Sequence, residues 1–356
     1  MRTLLYFIVF GVLVGCDVGQ VDKSRSKTGA IDYDLEGVDS LKGQVLSDAD
    51  TIANPSSIVK VGDYLLVAEI SSDPPAHVLK SKDGSYVTSL GTQGIGPGEF
   101  RGIWSFDVVS DSQGVVWAYD LNGLRLTYIP VPNFVKGDHT LGDSLVTLEI
   151  GYTPTSPHWL GDSLLVSPGF LTEEGRLAYL DPQTGATRRI TGVSPPNPNG
   201  DPIAVLQHAY QAFMDIQPSD SLLVLATRYA DQLEIYQIDG KLQTVVRGPD
   251  HFDPVYEIQS RQGEPARVST DETKTGYLDV EATGSSIYAL YSGRRRAGSA
   301  SLVHVLDWHG TLQAVYKLDD PVRAITIDEQ SDRIYASRAV SEPAILMYSL
   351  TIPPVE

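Results

Sequence analysis

From residue 57 onward the sequence runs six times through one pattern: a short apolar segment, a polar turn, a strongly apolar strand, an alternating strand, then Asp or Gly turn chemistry. The first copy reads SIVKV, GD, YLLVAEI and HVLKSKDGSYVTSL; the fourth reads AYQAFMDIQPSDS, LLVLATRY and QLEIYQIDGKLQTVV. Starting points near 57, 105, 155, 210, 277 and 322 give spacings of 48, 50, 55, 67 and 45 residues. Short strands at such intervals, bounded by tight turns, signal repeated antiparallel four-stranded units. No stretch after residue 40 sustains a 3.6-residue apolar period for three turns, which excludes a helical core. The pattern predicts an all-β chain, a six-bladed β-propeller of four-stranded antiparallel sheets, because a closed ring hides most strand edges.

The ends follow from the strand count. The sixth copy (VRAITIDEQSDR, IYASRAV, AILMYSL) reaches Leu350 after three strands and runs out in TIPPVE. Its missing strand must come from elsewhere, and Lys42-Gly43-Gln44-Val45-Leu46-Ser47, just before the first copy, is the natural donor. The propeller is therefore expected over residues 41–352, closed by an N-terminal strand.

Ahead of it, residues 1–16 read MRTLLYFIVFGVLVGC: Arg2, an apolar run from Leu4 to Leu13, small residues, and the only cysteine of the chain. The run falls short of the ~20 residues of a membrane-spanning helix and has the layout of a secretory signal. Leu13-Val14-Gly15-Cys16 resembles the bacterial lipoprotein lipobox. The resemblance implies removal of residues 1–15, lipidation of Cys16, and attachment to a membrane of the bacterial cell envelope, facing the periplasm or exterior. The alternative is an ordinary signal peptide with an incidental cysteine. Residues 16–40 are polar, acidic and without periodicity, and read as a lipidated flexible tether.

Between the first two copies stands Gly94-Ile95-Gly96-Pro97-Gly98-Glu99-Phe100. Its glycines and proline make a tight irregular link, Phe100 is placed to plug the seam between two sheets, and Glu99 can accept backbone N–H groups of the link. This string resembles the blade linker of NHL-type and TolB-like six-bladed propellers found as bacterial lipoproteins. SIYALYSG followed by VHVLDWHGTLQAVYKLDDPVRAITID resembles the fifth-to-sixth blade passage of the TolB-like group. The resemblance spans roughly residues 42–350, implies the fold, and carries no catalytic residue with it.

Charge narrows the partners. With 27 Lys and Arg against 45 Asp and Glu the net charge is −18, which would repel a nucleic-acid backbone. One cysteine excludes an internal disulfide and a Cys-rich zinc site. The seven histidines show no HxxxH or HExxH spacing, and no DxDxDG loop, GxSxG elbow or phosphate-binding glycine loop occurs. No catalytic residue, metal ligand or cofactor is expected on these grounds.

A site assembled from distant residues could still lie in the central channel, whose mouth is lined by the links entering the innermost strands. Those links supply Arg101, Trp104, His158, Tyr210, Tyr277 and Arg323. Such a set could hold an anionic or glycan-like ligand; the same aromatics could instead pack between blades. Arg101 and Arg323 flank the first blade and could meet on one ligand, or each could pair with a carboxylate such as Glu99 or Asp320. Arg294-Arg295-Arg296 is a basic run that needs acidic company, from the protein's own surface or from an anionic partner or lipid headgroup. Residues 249–276 form the longest insertion. The reading is a binding or scaffolding module, with a protein, glycan or small anion as partner at the propeller face. The alternative is a channel-centred metal-dependent hydrolase or lyase of the gluconolactonase kind, which needs Glu, Asn and Asp converging on the axis.

Overall fold

The structure, a computed structural model, describes residues 27–350 apart from 49, 70, 97, 111–112, 139–144, 148–153, 162–163, 170–174, 220 and 340–341. The leader of residues 1–15 and Cys16 lie outside the described residues.

The described strands form six mainly antiparallel sheets arranged as the blades of a propeller. Their innermost strands are Pro55–Val61, Ile103–Ser110, His158–Leu160, Ala212–Ile216, Tyr277–Ala282 and Ala324–Asp328, for blades one to six. The second strand of each blade is covered on both faces by its neighbours. That is why Val115–Asp120, Leu222–Thr227 and Ser286–Tyr291 read as near-continuous apolar runs rather than alternating ones. Outermost strands such as Thr187–Thr191 (TRRIT) meet solvent and carry charge.

Cores lie in the seams between blades. Phe100 is fully buried among Val61, Leu66, Ile103 and Val116, residues of blades one and two. Its link is held by Glu99, whose Oε2 accepts the N–H groups of Ile95 at 2.8 Å and Gly96 at 2.7 Å. The Arg125 guanidinium donates to the carbonyls of Ile95 (2.8 Å) and Glu99. Gly91 precedes the link at φ 69°, and a Cβ there would stand 2.6 Å from the Phe100 ring, so only glycine lets the plug seat.

The ring closes through the N-terminal segment. Gln44–Ser47 pairs antiparallel with Ala344–Ser349 as the fourth strand of blade six. The segment before it departs from the tether expected over residues 16–40. Lys27–Ala30 adds a fifth, parallel strand outside Leu242–Arg247 of blade four, and Asp39–Leu41 does the same outside Leu312–Val322 of blade five. Two open edges there present unpaired backbone groups, and the segment satisfies them. Its apolar residues supply the rest of the drive: Ile31 and Leu41 are buried, Ile31 beside Val246 and Trp308. Only residues upstream of 27 keep the tether expectation, and they lie outside the described residues.

Candidate functional site: the central channel

The innermost strands wall a channel of about 1010 Å³. One rung of these strands governs its chemistry. Val59, Asp107, His158, Asp215, Glu281 and Thr326 each stand opposite the third residue of their blade's second strand, so the six form one tier around the axis.

An innermost strand has a free edge toward the axis, and its N–H groups need acceptors that no further strand supplies. The tier supplies them from blade to blade. Asp107 accepts the N–H of Trp159 (2.8 Å), Asp215 that of Ala282 (2.6 Å), and the Thr326 hydroxyl oxygen that of Lys60 (3.2 Å). Glu281 accepts the N–H of Ile327 and the Thr326 hydroxyl. Two residues before Glu281 on the same strand, Asp279 accepts the N–H of Ile325 at 2.9 Å. In each case an acid or hydroxyl of one blade caps the strand edge of the next.

His158 balances part of the charge. Its Nδ1–H donates to Asp107 Oδ1 at 3.1 Å, and Asp215 Oδ1 lies 3.8 Å away. Burial alone would strip its proton, but the two carboxylates win and push its pKa up to about 9. Desolvation moves three of the channel's carboxyls upward. Burial raises Asp215 to about 6 and Asp279 to about 7, and raises Glu281 well above the carboxylate range, helped by mutual repulsion. At neutral pH the channel therefore holds an imidazolium beside carboxylates, and a Glu281 carboxyl that keeps its proton and can donate a hydrogen bond.

Ser156 Oγ lies 3.2 Å from His158 Nε2, so Ser156, His158 and Asp107 are connected in the order of a hydrolase triad. The protonation contradicts that role. An imidazolium cannot take a proton from serine, and the Ser156 hydroxyl donates its own to the Met214 carbonyl at 3.2 Å. Metal ligation is disfavoured by the same commitments: among the described residues no three His, Cys, Asp or Glu side chains are grouped to hold a metal ion.

The two mouths differ. Where the innermost strands end, Lys60 meets Asp328 at 3.7 Å, with Glu329 beside it. Where they begin, Arg323, Trp104, Phe213, Arg228 and Asn54 line the wall. The Arg323 guanidinium donates to Asn54 Oδ1 (3.2 Å) and the Pro55 carbonyl (3.4 Å), both neutral, and burial pushes its pKa down. Asp320, a possible partner, is instead taken by Arg338 at 2.7 Å.

Of the residues expected at this mouth, Trp104, His158 and Arg323 line the channel. Arg101, Tyr210 and Tyr277 do not. Arg101 is held on the outside by its own backbone, whose N–H goes to Asp120 Oδ2 (2.8 Å), while its side chain reaches the Asn122 carbonyl (3.4 Å). It therefore does not share a ligand position with Arg323. Tyr210 caps the C-terminus of a short helix, Ile203–Ala209, with its ring 5.8 Å from Arg176. Tyr277 is fully buried against Tyr291 and His304, the packing alternative. The basic run finds acids in the insertion: Arg295 pairs with Glu272, and Arg296 with Asp271 at 2.9 Å.

Residues 37–330 match a family described as TolB-like, 6-blade propeller-like. The chain belongs to the TolB-like six-bladed propeller family. Among solved structures, a Bacteroides fragilis protein whose description presumes it to be exported superposes on this TolB-like propeller with a TM-score of 0.56. It is 13% identical, and the match covers 91% of this chain and 98% of that one. At that identity the likeness speaks for the fold. No curated protein matches the sequence.

The residues missing from the sequence-based set are the acids of this TolB-like propeller's channel. Their signal was present: Phe106-Asp107-Val108, Met214-Asp215-Ile216 and Leu278-Asp279-Val280 each put one Asp between apolar neighbours in an innermost strand. An isolated Asp inside an apolar strand costs several kcal/mol unless it is bonded, about 2–7 by transfer, so its recurrence marks a common partner.

Proposed function

We propose that the protein is an exported, lipid-anchored binding module of the bacterial envelope, which seats a small carboxylate-bearing ligand, such as an acidic sugar, in the channel mouth at Arg323. One observation carries the reading: in a chain of net charge −18, a partly buried guanidinium faces the channel with only neutral acceptors among the described residues. A ligand carboxylate would complete that fork in two places, as Arg geometry favours. Trp104 and Phe213 offer flat apolar faces on which a sugar ring can lie. The leader sequence, ending in Leu13-Val14-Gly15-Cys16, supports export and anchoring, and the description of the B. fragilis neighbour supports export.

The four channel carboxyls favour a second reading, the metal-dependent hydrolase or lyase. Against it, their oxygens already accept backbone N–H groups from the next blade.

Calorimetry of the purified protein with glucuronate, galacturonate and citrate tests the binding reading. At least one acid should bind, and Arg323→Ala should weaken it about 10- to 100-fold, the worth of a charged hydrogen-bond pair, with the melting temperature kept. Acids that fail to bind, or bind the variant equally, overturn it. Stoichiometric tight binding of a divalent cation in the same assay would favour the hydrolase reading.

A further inference from the structure

Away from the channel, the insertion between blades four and five folds into a hairpin, Glu257–Arg261 with Glu264–Val268, that lies against the helix Ile203–Ala209. Between them and the blade-four turn at Tyr229 is a crevice of about 230 Å³, lined by His208, Gln211, Tyr229, Arg261, Ala266 and Arg267.

Its cations are unusually arranged. The Arg267 guanidinium stands over the Tyr229 ring, 3.7 Å from its centre, and the Arg228 guanidinium is 5.4 Å from the centre of the same ring. Two like charges thus stand at one aromatic ring, Arg228 from the channel wall and Arg267 from the crevice, and the ring attracts each of them while they repel one another. Elsewhere the chain's acids answer its cations: Arg176, Arg247 and Arg296 each hold a carboxylate within about 3 Å. Among the described residues none of Arg228, Arg261 and Arg267 has a carboxylate within ion-pair distance. Nearby Asp201 is already taken by the Tyr256 hydroxyl at 2.6 Å.

The N–H groups confirm the shortfall. Arg267 Nε and Nη2 and Arg228 Nε are withdrawn from solvent with no acceptor. Charged donors left in that state are costly, and folds keep few of them. Desolvation pushes the pKa of Arg267 down, with Arg228 adding to the fall, and Arg267 in turn helps to lower His208. Each of these shifts is one that a bound anion would reverse.

We propose that this crevice is an anion site, separate from the channel mouth, that takes a multiply charged oxyanion of the phosphate or sulfate kind, free or as an ester. Arg261 and Arg267, both on its wall, supply the charge, Tyr229 backs the Arg267 guanidinium, and His208 and Gln211 offer further hydrogen bonds. A single carboxylate would offset one guanidinium; a dianion offsets both, which is why the site selects the more highly charged group. The proposal does not depend on the channel reading, since Arg323 has no part in it.

The test uses the purified full-length protein and inorganic phosphate or sulfate, against sodium chloride at equal ionic strength, with glucuronate as the monovalent carboxylate and a sugar sulfate as the ester. Thermal unfolding should rise by several degrees in millimolar phosphate or sulfate but not in chloride, and much less in glucuronate. Protection by the sugar sulfate at lower concentration than by free sulfate assigns the ester as the preferred form; the reverse assigns the free anion. Arg267→Gln should abolish the protection while leaving the anion-free melting temperature equal or higher, because an uncompensated charge is removed. A purely structural stack on Tyr229 predicts the opposite, a lower melting temperature. Arg323→Ala should keep the phosphate effect, so failure of the channel reading is scored separately. No protection beyond chloride, protection by glucuronate alone, or undiminished protection in Arg267→Gln overturns the proposal.

Discussion

Replacing His158 by Gln should open a stability gap that depends on pH in a calculable way. In the folded protein Asp107 and Asp215 hold the imidazolium and raise its pKa from 6.5 to about 9. The folded state therefore binds this proton more tightly than the unfolded chain does. A raised pKa of this sign contributes stability that is fully present below pH 6.5 and is lost as pH rises through 9. The difference of 2.5 pK units, at ~1.36 kcal/mol each, makes the contribution about 3 kcal/mol. Unfolding entropy near 2.1 cal/mol/K per residue over roughly 310 residues is about 0.65 kcal/mol/K, so the effect is about 5 °C in melting temperature. His158→Gln keeps a donor for Asp107 but no charge. At pH 6.5 the variant should melt about 5 °C below wild type; by pH 9.5 the two should nearly coincide. Differential scanning fluorimetry at half-unit steps reads this directly, and groups far from the tier cancel in the difference. A gap that stays constant from pH 6.5 to 9.5 would mean that His158 is neutral in the fold, and the account of the channel's charge would fail with it.

Ile31→Ala tests whether the segment ahead of the closing strand is docked in solution: a buried Ile removed from beside Val246 and Trp308 should cost about 2–4 kcal/mol in urea unfolding. A loss under about 0.5 kcal/mol would restore the free tether. Cys16→Ala should leave the protein uncleaved or released from membranes in fractionation, with the melting temperature of the propeller unaltered; membrane association that survives signal removal in this variant rejects the lipid anchor.

Local patterns carried the fold into view, and long-range register hid the site. Six strand patterns and the GIGPGEF link are contiguous in sequence, and the roles of Glu99 and Phe100 follow from the tight turn they stand in. The shortfall of one strand in the sixth copy is equally local. The tier is not, because Asp107, Asp215 and Glu281 align only once each innermost strand is registered against its neighbour. His158 and Thr326 occupy the same rung with different side chains, so no single letter marks it. Arg101 shows the converse: it is adjacent to the link, but its backbone N–H donates to Asp120 Oδ2 and its side chain does not reach the channel. The strands at Lys27–Ala30 and Asp39–Leu41 are too short for periodicity to register, and their pairing is parallel and remote.

That remoteness also sets a timetable for synthesis. Gln44 pairs with Met347, 347 − 44 = 303 residues later in the chain. At a translation rate of about 5–20 residues per second, the closing strand waits roughly 15–60 s after it is made before its partner exists. Blades one to three can form during that interval, but the ring cannot shut, and the loop to be closed is nearly the whole polypeptide. A waiting strand of strongly apolar character would find wrong partners, among them the edges of its own half-made ring or of another molecule's. The closing strand has only two apolar residues, Val45 and Leu46, and the stretch ahead of it carries Asp32, Asp34, Glu36 and Asp39. The acidity that makes that stretch look like a linker keeps it from sticking to wrong partners while the strand beside it waits to be placed last.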